Sequence, residues 1–157
     1  MTNQAPNTIR NVALLSHSGA GNTSLAEAML FTAGAISRLG KVEEGTTASD
    51  YEPEETRRRI SINLAVLPCN WKGVKVNVLD TPGYADFVGE VRAGLRVCDG
   101  AVVVVSAASG VEVGTERVWN YAEEARLPRF VFVNKMDRES TDFQRAVDNI
   151  QAKLGKQ

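Results

Sequence analysis

Residues 9–23 read Ile9-Arg10-Asn11-Val12-Ala13-Leu14-Leu15-Ser16-His17-Ser18-Gly19-Ala20-Gly21-Asn22-Thr23, and the fold class turns on this stretch. It begins mixed, becomes continuously apolar, and then meets a run of small residues, which is the pattern of a strand followed by a tight loop. Helical spacing takes over at once. Leu25, Ala28, Met29 and Phe31 carry the period, and Gly34 is the expected stop. Further on, Ile60, Ile62, Leu64 and Val66 alternate with polar or small residues, as do Val74, Val76 and Val78, around a turn at Asn70 to Gly73. That spacing predicts an antiparallel hairpin. Ala101 to Ser106 and Phe130 to Val133 are instead apolar on both faces, as strands between two helical layers are. Helical periods at Val88, Val91 and Leu95, at Val118, Trp119, Ala122 and Ala125, and at Phe143, Ala146, Val147, Ile150 and Leu154 separate and follow them. The expected fold is therefore α/β, a doubly wound and mostly parallel sheet whose ligand site lies at the carboxyl ends of its strands. The loops that matter are those after Leu15, Leu79 and Val133.

Composition sets the frame for this pattern. A chain of 157 residues, 43% hydrophobic and 24% charged, is in the band of one globular domain and outside the disordered and collagen-like classes. With a single histidine, His17, and two cysteines, Cys69 and Cys98, outside any CxxC pair, the usual zinc ligand set cannot be assembled. A formal charge of -1 gives no global attraction to nucleic acid or to an anionic membrane. The longest apolar run, Ala101 to Val105, is far short of the ~20 residues that span a bilayer, so no membrane partner is expected and the protein reads as cytoplasmic. Residues 1–8 are expected to be disordered and 9–157 to fold. From Ser37 to Arg59 periodicity disappears, and a connection of that length is usually functional or mobile.

Three elements at strand ends carry chemistry. Ser16 to Thr23 fits the phosphate-loop pattern GxxxxGK[ST] at Gly21 and Thr23 but not at the first glycine or the lysine, where Ser16 and Asn22 stand. In such a loop Ser18, Gly19, Ala20, Gly21, Asn22 and Thr23 present main-chain N–H groups to phosphate oxygens, the helix N-terminus adds a positive dipole end, and the Thr23 hydroxyl can coordinate Mg2+. After the third strand comes Asp80-Thr81-Pro82-Gly83, where Asp80 can hold Mg2+ through water and the Gly83 amide can approach a terminal phosphate. After the fifth comes Asn134-Lys135-Met136-Asp137, whose final carboxylate can accept from both the ring N–H and the exocyclic amine of guanine. Adenine offers no such pair of donors.

Taken with Gly45-Thr46-Thr47-Ala48-Ser49-Asp50-Tyr51, with Tyr84-Ala85-Asp86-Phe87 and with Ser109-Gly110-Val111, these elements make the chain resemble the N-terminal part of the GTP-binding domain of translational GTPases, closest to elongation factor G and its paralogues. The resemblance runs from Ile9 to Asp137. It implies GTP or GDP with Mg2+ as ligands, the ribosome as a partner of the parent protein, and GTP hydrolysis in the family. It also implies a first switch region over 38–62, a second over 80–99, Ser61 as a metal-reaching hydroxyl beside Thr23 and Asp80, Asn134, Lys135 and Asp137 as the guanine site, and Tyr84 at the catalytic position. Departures accompany it: Asn22 replaces the family's lysine, Arg58-Arg59-Ile60-Ser61 replaces Arg-Gly-Ile-Thr, and Tyr84 replaces a histidine. A neutral amide at position 22 forgoes charge-assisted bonds of about 1.5 to 3 kcal/mol each, so weak binding and slow turnover are expected. The alternative is a degenerate fold of this type kept as an interaction module that binds no nucleotide, and Asn22 is the residue that favours it.

The chain ends before the family's last guanine-contacting loop and strand, so the domain is expected to be partial and the strand at Phe130 to Val133 to be an open edge able to recruit a second copy. Arg57, Arg58 and Arg59, beside Glu54 and Glu55, read as a self-compensating solvated face, Trp71 and Trp119 as packing residues, and the cysteines as small buried hydrophobes. His17 receives no acid-base role.

Overall fold

Leucine and valine on both faces of a strand require cover on both sides, and the strands richest in them stand inside the sheet and not at its edges. The structure, a computed structural model, describes residues 5–155. β1 (Ile9–Ser16), β2 (Ala65–Trp71), β3 (Val74–Asp80), β4 (Gly100–Ser106) and β5 (Arg129–Asn134) form one sheet in the order β2-β3-β1-β4-β5. Only the β2–β3 pair is antiparallel. Ala13, Leu15, Val103 and Val105 pack on one side against Val91 and Leu95 of α3 (Val88–Leu95), Val118 and Ala122 of α4 (Val113–Glu124) and Leu154 of α5 (Phe143–Leu154). Leu14, Val78, Val102 and Val104 pack on the other against Ala26 and Leu30 of α1 (Asn22–Thr32). This is the doubly wound arrangement, and it brings the ends of β1, β3 and β5 to one rim.

The hairpin differs from its expected form in extent and in phase. β2 begins at Ala65, and the buried positions are Ala65, Leu67 and Cys69, with Val66 facing solvent at 57% exposure. Ile60, Ile62 and Leu64 lie outside the strand because their neighbourhood is bonded elsewhere: the N–H groups of Ile62 and Asn63 donate to Glu55 Oε1 and that of Leu64 to Glu90 Oε2. A ladder cannot form from donors already engaged. The turn is two residues, Lys72 and Gly73, both at positive φ, as a tight hairpin between right-twisted strands requires.

The long connection contains structure that periodicity did not reveal. A short helix, α2 (Pro53–Arg58), starts with Pro53 at its first turn and with the Glu52 N–H donating to Glu55 Oε2. It ends on Arg59 at φ 57, the left-handed position that favours glycine. Arg59→Gly is therefore expected to leave stability unchanged or raise it by up to about 1 kcal/mol, read as an equal or higher Tm. A clear fall would show that the arginine side chain holds the turn.

Of the residues expected to be disordered, 1–4 lie outside those described, whereas Pro6–Thr8 form a 3-10 turn. Trp71 is 47% exposed rather than packed, and Trp119 carries the Arg129 guanidinium over its ring at 4.3 Å. Cys69 is buried as expected, and Cys98 is half-buried with its thiol directed at the Gly94 carbonyl. Among the described residues β5 pairs only with β4, and Phe130 and Phe132 on it are exposed. Among the described residues, no helix is long and apolar enough to cross a membrane.

Candidate functional site

The loops after β1, β3 and β5 enclose a cleft of about 530 Å³ together with residues of the 38–62 connection. Its floor is the turn into α1. Gly21, at φ 104, caps that helix, and a side chain there would meet Asn134 Nδ2 at 2.4 Å. Helix α1 leaves its first N–H groups open toward the cleft, a ready site for an anion. The loop after β5 is bonded directly to this turn. Asn134 Nδ2 donates to the Ala20 carbonyl at 2.9 Å, and Lys135 Nζ donates to the Gly19 carbonyl at 2.6 Å. From the β3 side, Gly83 comes so close that a Cβ would lie 2.8 Å from Ser18 N and Cα. Glycine at 21 and 83 is thus a packing requirement between three strand ends.

Ser18, Gly19, Gly21, Asn22, Thr23, Ser61, Gly83, Tyr84, Asn134, Lys135 and Asp137 all line this cleft. Ala20 and Asp80 do not: Ala20 is fully buried behind the turn, and Asp80 lies under the cleft at 1% exposure. Thr23 Oγ1 donates to Asp80 Oδ2 at 2.8 Å and stands 3.2 Å from Ser61 Oγ, which donates to Asp50 Oδ1 at 2.7 Å. Asp80 Oδ1 is buried with no donor in good hydrogen-bond geometry, and burial pushes this carboxyl up to about 7 against the relief given by the Thr23 and, more loosely placed, the Ser49 hydroxyls. Burial also raises Asp50. An orphaned buried carboxylate oxygen beside two hydroxyls is a hard-oxygen donor set that suits Mg2+ completed by phosphate and water. Among the described residues, no group of three or more His, Cys, Asp or Glu could hold a metal alone.

Asn22 turns away from the role its position implies. Its side chain is 6% exposed, and Nδ2 donates inward to the carbonyls of Leu14 at 3.1 Å and Thr81 at 3.4 Å while Oδ1 has no partner. Only its main-chain N–H is left to face an anion. His17, buried at 7% exposure, ties the loop to the start of α4: Nδ1 meets Thr115 Oγ1 at 3.0 Å and Nε2 meets Glu112 Oε1 at 3.1 Å. Burial lowers its pKa despite Glu112, so it is a structural tie in neutral form.

Sequence reasoning missed several residues around the cleft. Arg59 lines it, although Arg57 and Arg58 do pair with Glu54 as a surface face. Asp50, Glu27 and Glu55, all buried, organise the 38–62 connection. Asp50 was visible only as part of a matched segment, and nothing in the pattern of α1 distinguished Glu27 from a solvated glutamate.

A mostly parallel sheet with a helix-capping glycine turn at its first strand end, a buried aspartate at its third and an Asn-Lys-x-Asp loop at its fifth is a P-loop GTPase domain. The chain belongs to the family described as the elongation factor Tu GTP binding domain, whose model matches residues 7–157. It is 46% identical over 145 residues to the mitochondrial ribosome-releasing factor 2 of Candida dubliniensis, covering 92% of this chain and 18% of that protein. To elongation factor G 2 of Streptomyces coelicolor it is 44% identical over 147 residues, covering 94% and 21%. The crystal structure of a protein from Thermus thermophilus superposes with a TM-score of 0.90 at 47% identity, over 94% of this chain and 22% of that one. The chain thus spans about a fifth of the length of the relatives it matches.

Proposed function

We propose that the cleft binds GTP and GDP with Mg2+, as the nucleotide site of a translational GTPase that works on the ribosome. The observation that supports this most is the direct bonding of the Asn134-Lys135 loop to the Ser18–Gly21 turn, which couples a base-reading carboxylate, Asp137, to a phosphate cradle. Main-chain N–H groups of Ser18, Gly19, Gly21, Asn22 and Thr23 and of Gly83 receive the phosphates, whereas that of Ala20 is taken by the His17 carbonyl. Thr23, Ser61 and Asp80 would hold Mg2+, whose charge offsets that of the outer phosphates. Residues 38–62 and 80–99 act as the two switches, and 9–157 as the nucleotide domain. Tyr84, 42% exposed at the cleft edge, has a hydroxyl that orients water, but a phenol carries no positive charge to set against the charge that develops on the phosphates. With Asn22 withdrawn as well, hydrolysis by this chain is slow.

The test is GTP affinity with Mg2+ and with EDTA. Mg2+ is expected to tighten binding by about tenfold or more, and Asp80→Asn to abolish the difference. Equal affinities in the unsubstituted chain would contradict the metal assignment. Self-association is a separate proposal, supported by the unpaired side of β5 with Phe130 and Phe132 exposed beside it. Sedimentation should then give a mass that rises with concentration, and a monomer throughout would end the idea.

A further inference from the structure

Two buried carboxylates in the 38–62 connection and its contacts have no role in the nucleotide site itself. Glu27, on α1 one turn beyond Thr23, is 1% exposed and makes no ion pair among the described residues. Its Oε2 accepts the Gly40 N–H at 2.9 Å, and its Oε1 accepts the Ala48 N–H. Glu55, also 1% exposed, accepts the N–H groups of Ile62 and Asn63 at 2.9 Å each. An uncompensated buried carboxylate is costly, and an apolar residue in its place would pack at lower cost. What Glu27 gains is the connection itself, held at both ends of the 40–48 arm.

From Ala48 the main chain runs two residues on to Asp50, whose Oδ1 accepts from Ser61 Oγ at 2.7 Å, and Ser61 Oγ stands 3.2 Å from Thr23 Oγ1, back on α1. Main chain and hydrogen bonds together close a ring that begins and ends on one helix. We infer that Glu27 is a positioning residue, a carboxylate latch that clamps the 40–48 arm to α1 and so sets Ser61 against Thr23. Opening the arm releases two N–H groups and a carboxylate to water, which makes the latch reversible. The Ser61 part of this inference rests on the nucleotide reading of the cleft; the clamp does not. The approach is tight, since a Cβ on Gly40 would lie 2.3 Å from the Thr46 carbonyl oxygen and 2.8 Å from Glu27 Oε2. Gly40→Ala therefore disturbs the same contact from the opposite side without altering the carboxylate.

Limited trypsin digestion of the chain, Glu27→Gln and Gly40→Ala reads the clamp without any nucleotide. The amide in Glu27→Gln keeps one acceptor and turns an N–H2 toward a loop N–H. Cleavage after Arg38 and Lys41 is expected to be about tenfold faster or more in both variants, with cooperative thermal unfolding retained. Unchanged cleavage overturns the clamp, as does loss of cooperative unfolding in both variants, which would make Glu27 a core residue. GTP affinity with Mg2+ and with EDTA reads the positioning of Ser61. In Glu27→Gln the Mg2+ gain should fall to within about twofold while affinity in EDTA stays within about threefold of the chain's own. A parallel fall in both conditions, or an undiminished Mg2+ gain, overturns the link to Ser61. If the unsubstituted chain binds no GTP, the nucleotide reading and the link fail together, and digestion alone decides the clamp.

Discussion

Asp137→Asn is expected to weaken GTP binding about a hundredfold while leaving ATP binding unchanged. The carboxylate can accept from two guanine donors at once, and hydrogen bonds to a charged group contribute about 1.5 to 3 kcal/mol each. An asparagine keeps one acceptor and turns an N–H2 toward the base, so one bond is lost and the other weakened. The frame around the position is independent of it. Lys135, at φ 60, and Asn134 hold this loop to the phosphate turn through the Gly19 and Ala20 carbonyls, and neither bond involves Asp137. The side chain is exposed on the cleft lining, so stability should change by no more than about 0.5 kcal/mol. Competition titrations with each nucleotide measure the effect. An equal loss for GTP and ATP would mean that Asp137 acts on the fold or the phosphates and not on the base.

The second large effect is a gain. Asn22→Lys is expected to tighten GTP and GDP binding by tenfold or more, because the native side chain is turned inward and contributes no charge to the cleft. The substitution removes two bonds to main-chain carbonyls, but Leu14 keeps the Thr81 hydroxyl as a donor at 2.6 Å, and the orphaned Asn22 Oδ1 disappears. A lysine stem starting from the first residue of α1 reaches past the glycine turn, where its ammonium makes charge-assisted bonds to phosphate. Matching affinities for the chain and Asn22→Lys would show that phosphates do not sit over this turn.

The parts of this protein that were legible in its sequence are those where one physical demand dominates. Strands covered on both sides must be apolar throughout, which marked β1 and β4, and glycine-rich turns at strand ends marked the loops of the cleft. β5 was found by the same apolar run, but the expected cover on both its faces is missing, since Phe130 and Phe132 are exposed. The hairpin edge was harder. Ile60 to Val66 alternates convincingly, yet Glu55 and Glu90 take the N–H groups of Ile62 to Leu64, and the buried face runs through Ala65, Leu67 and Cys69 instead. Local alternation cannot report a competing acceptor that arrives from another element. The same limit hid Glu27, whose partners Gly40 and Ala48 are distant along the chain, and it hid the inward turn of Asn22, which depends on carbonyls of β1 and of the loop after β3. Arg59 was read with its neighbours as a surface charge, but the left-handed end of α2 redirects it toward the cleft.

The central claim is that the junction of the β1 and β5 loops binds a guanine nucleotide. Its most direct measurement is displacement of a fluorescent GDP analogue from the unsubstituted chain by unlabelled GTP and, separately, by ATP in the presence of Mg2+. A site built to pair with the donors of guanine should favour GTP by about a hundredfold or more. Equal displacement by GTP and ATP, or no binding of the analogue at millimolar concentration, would contradict it.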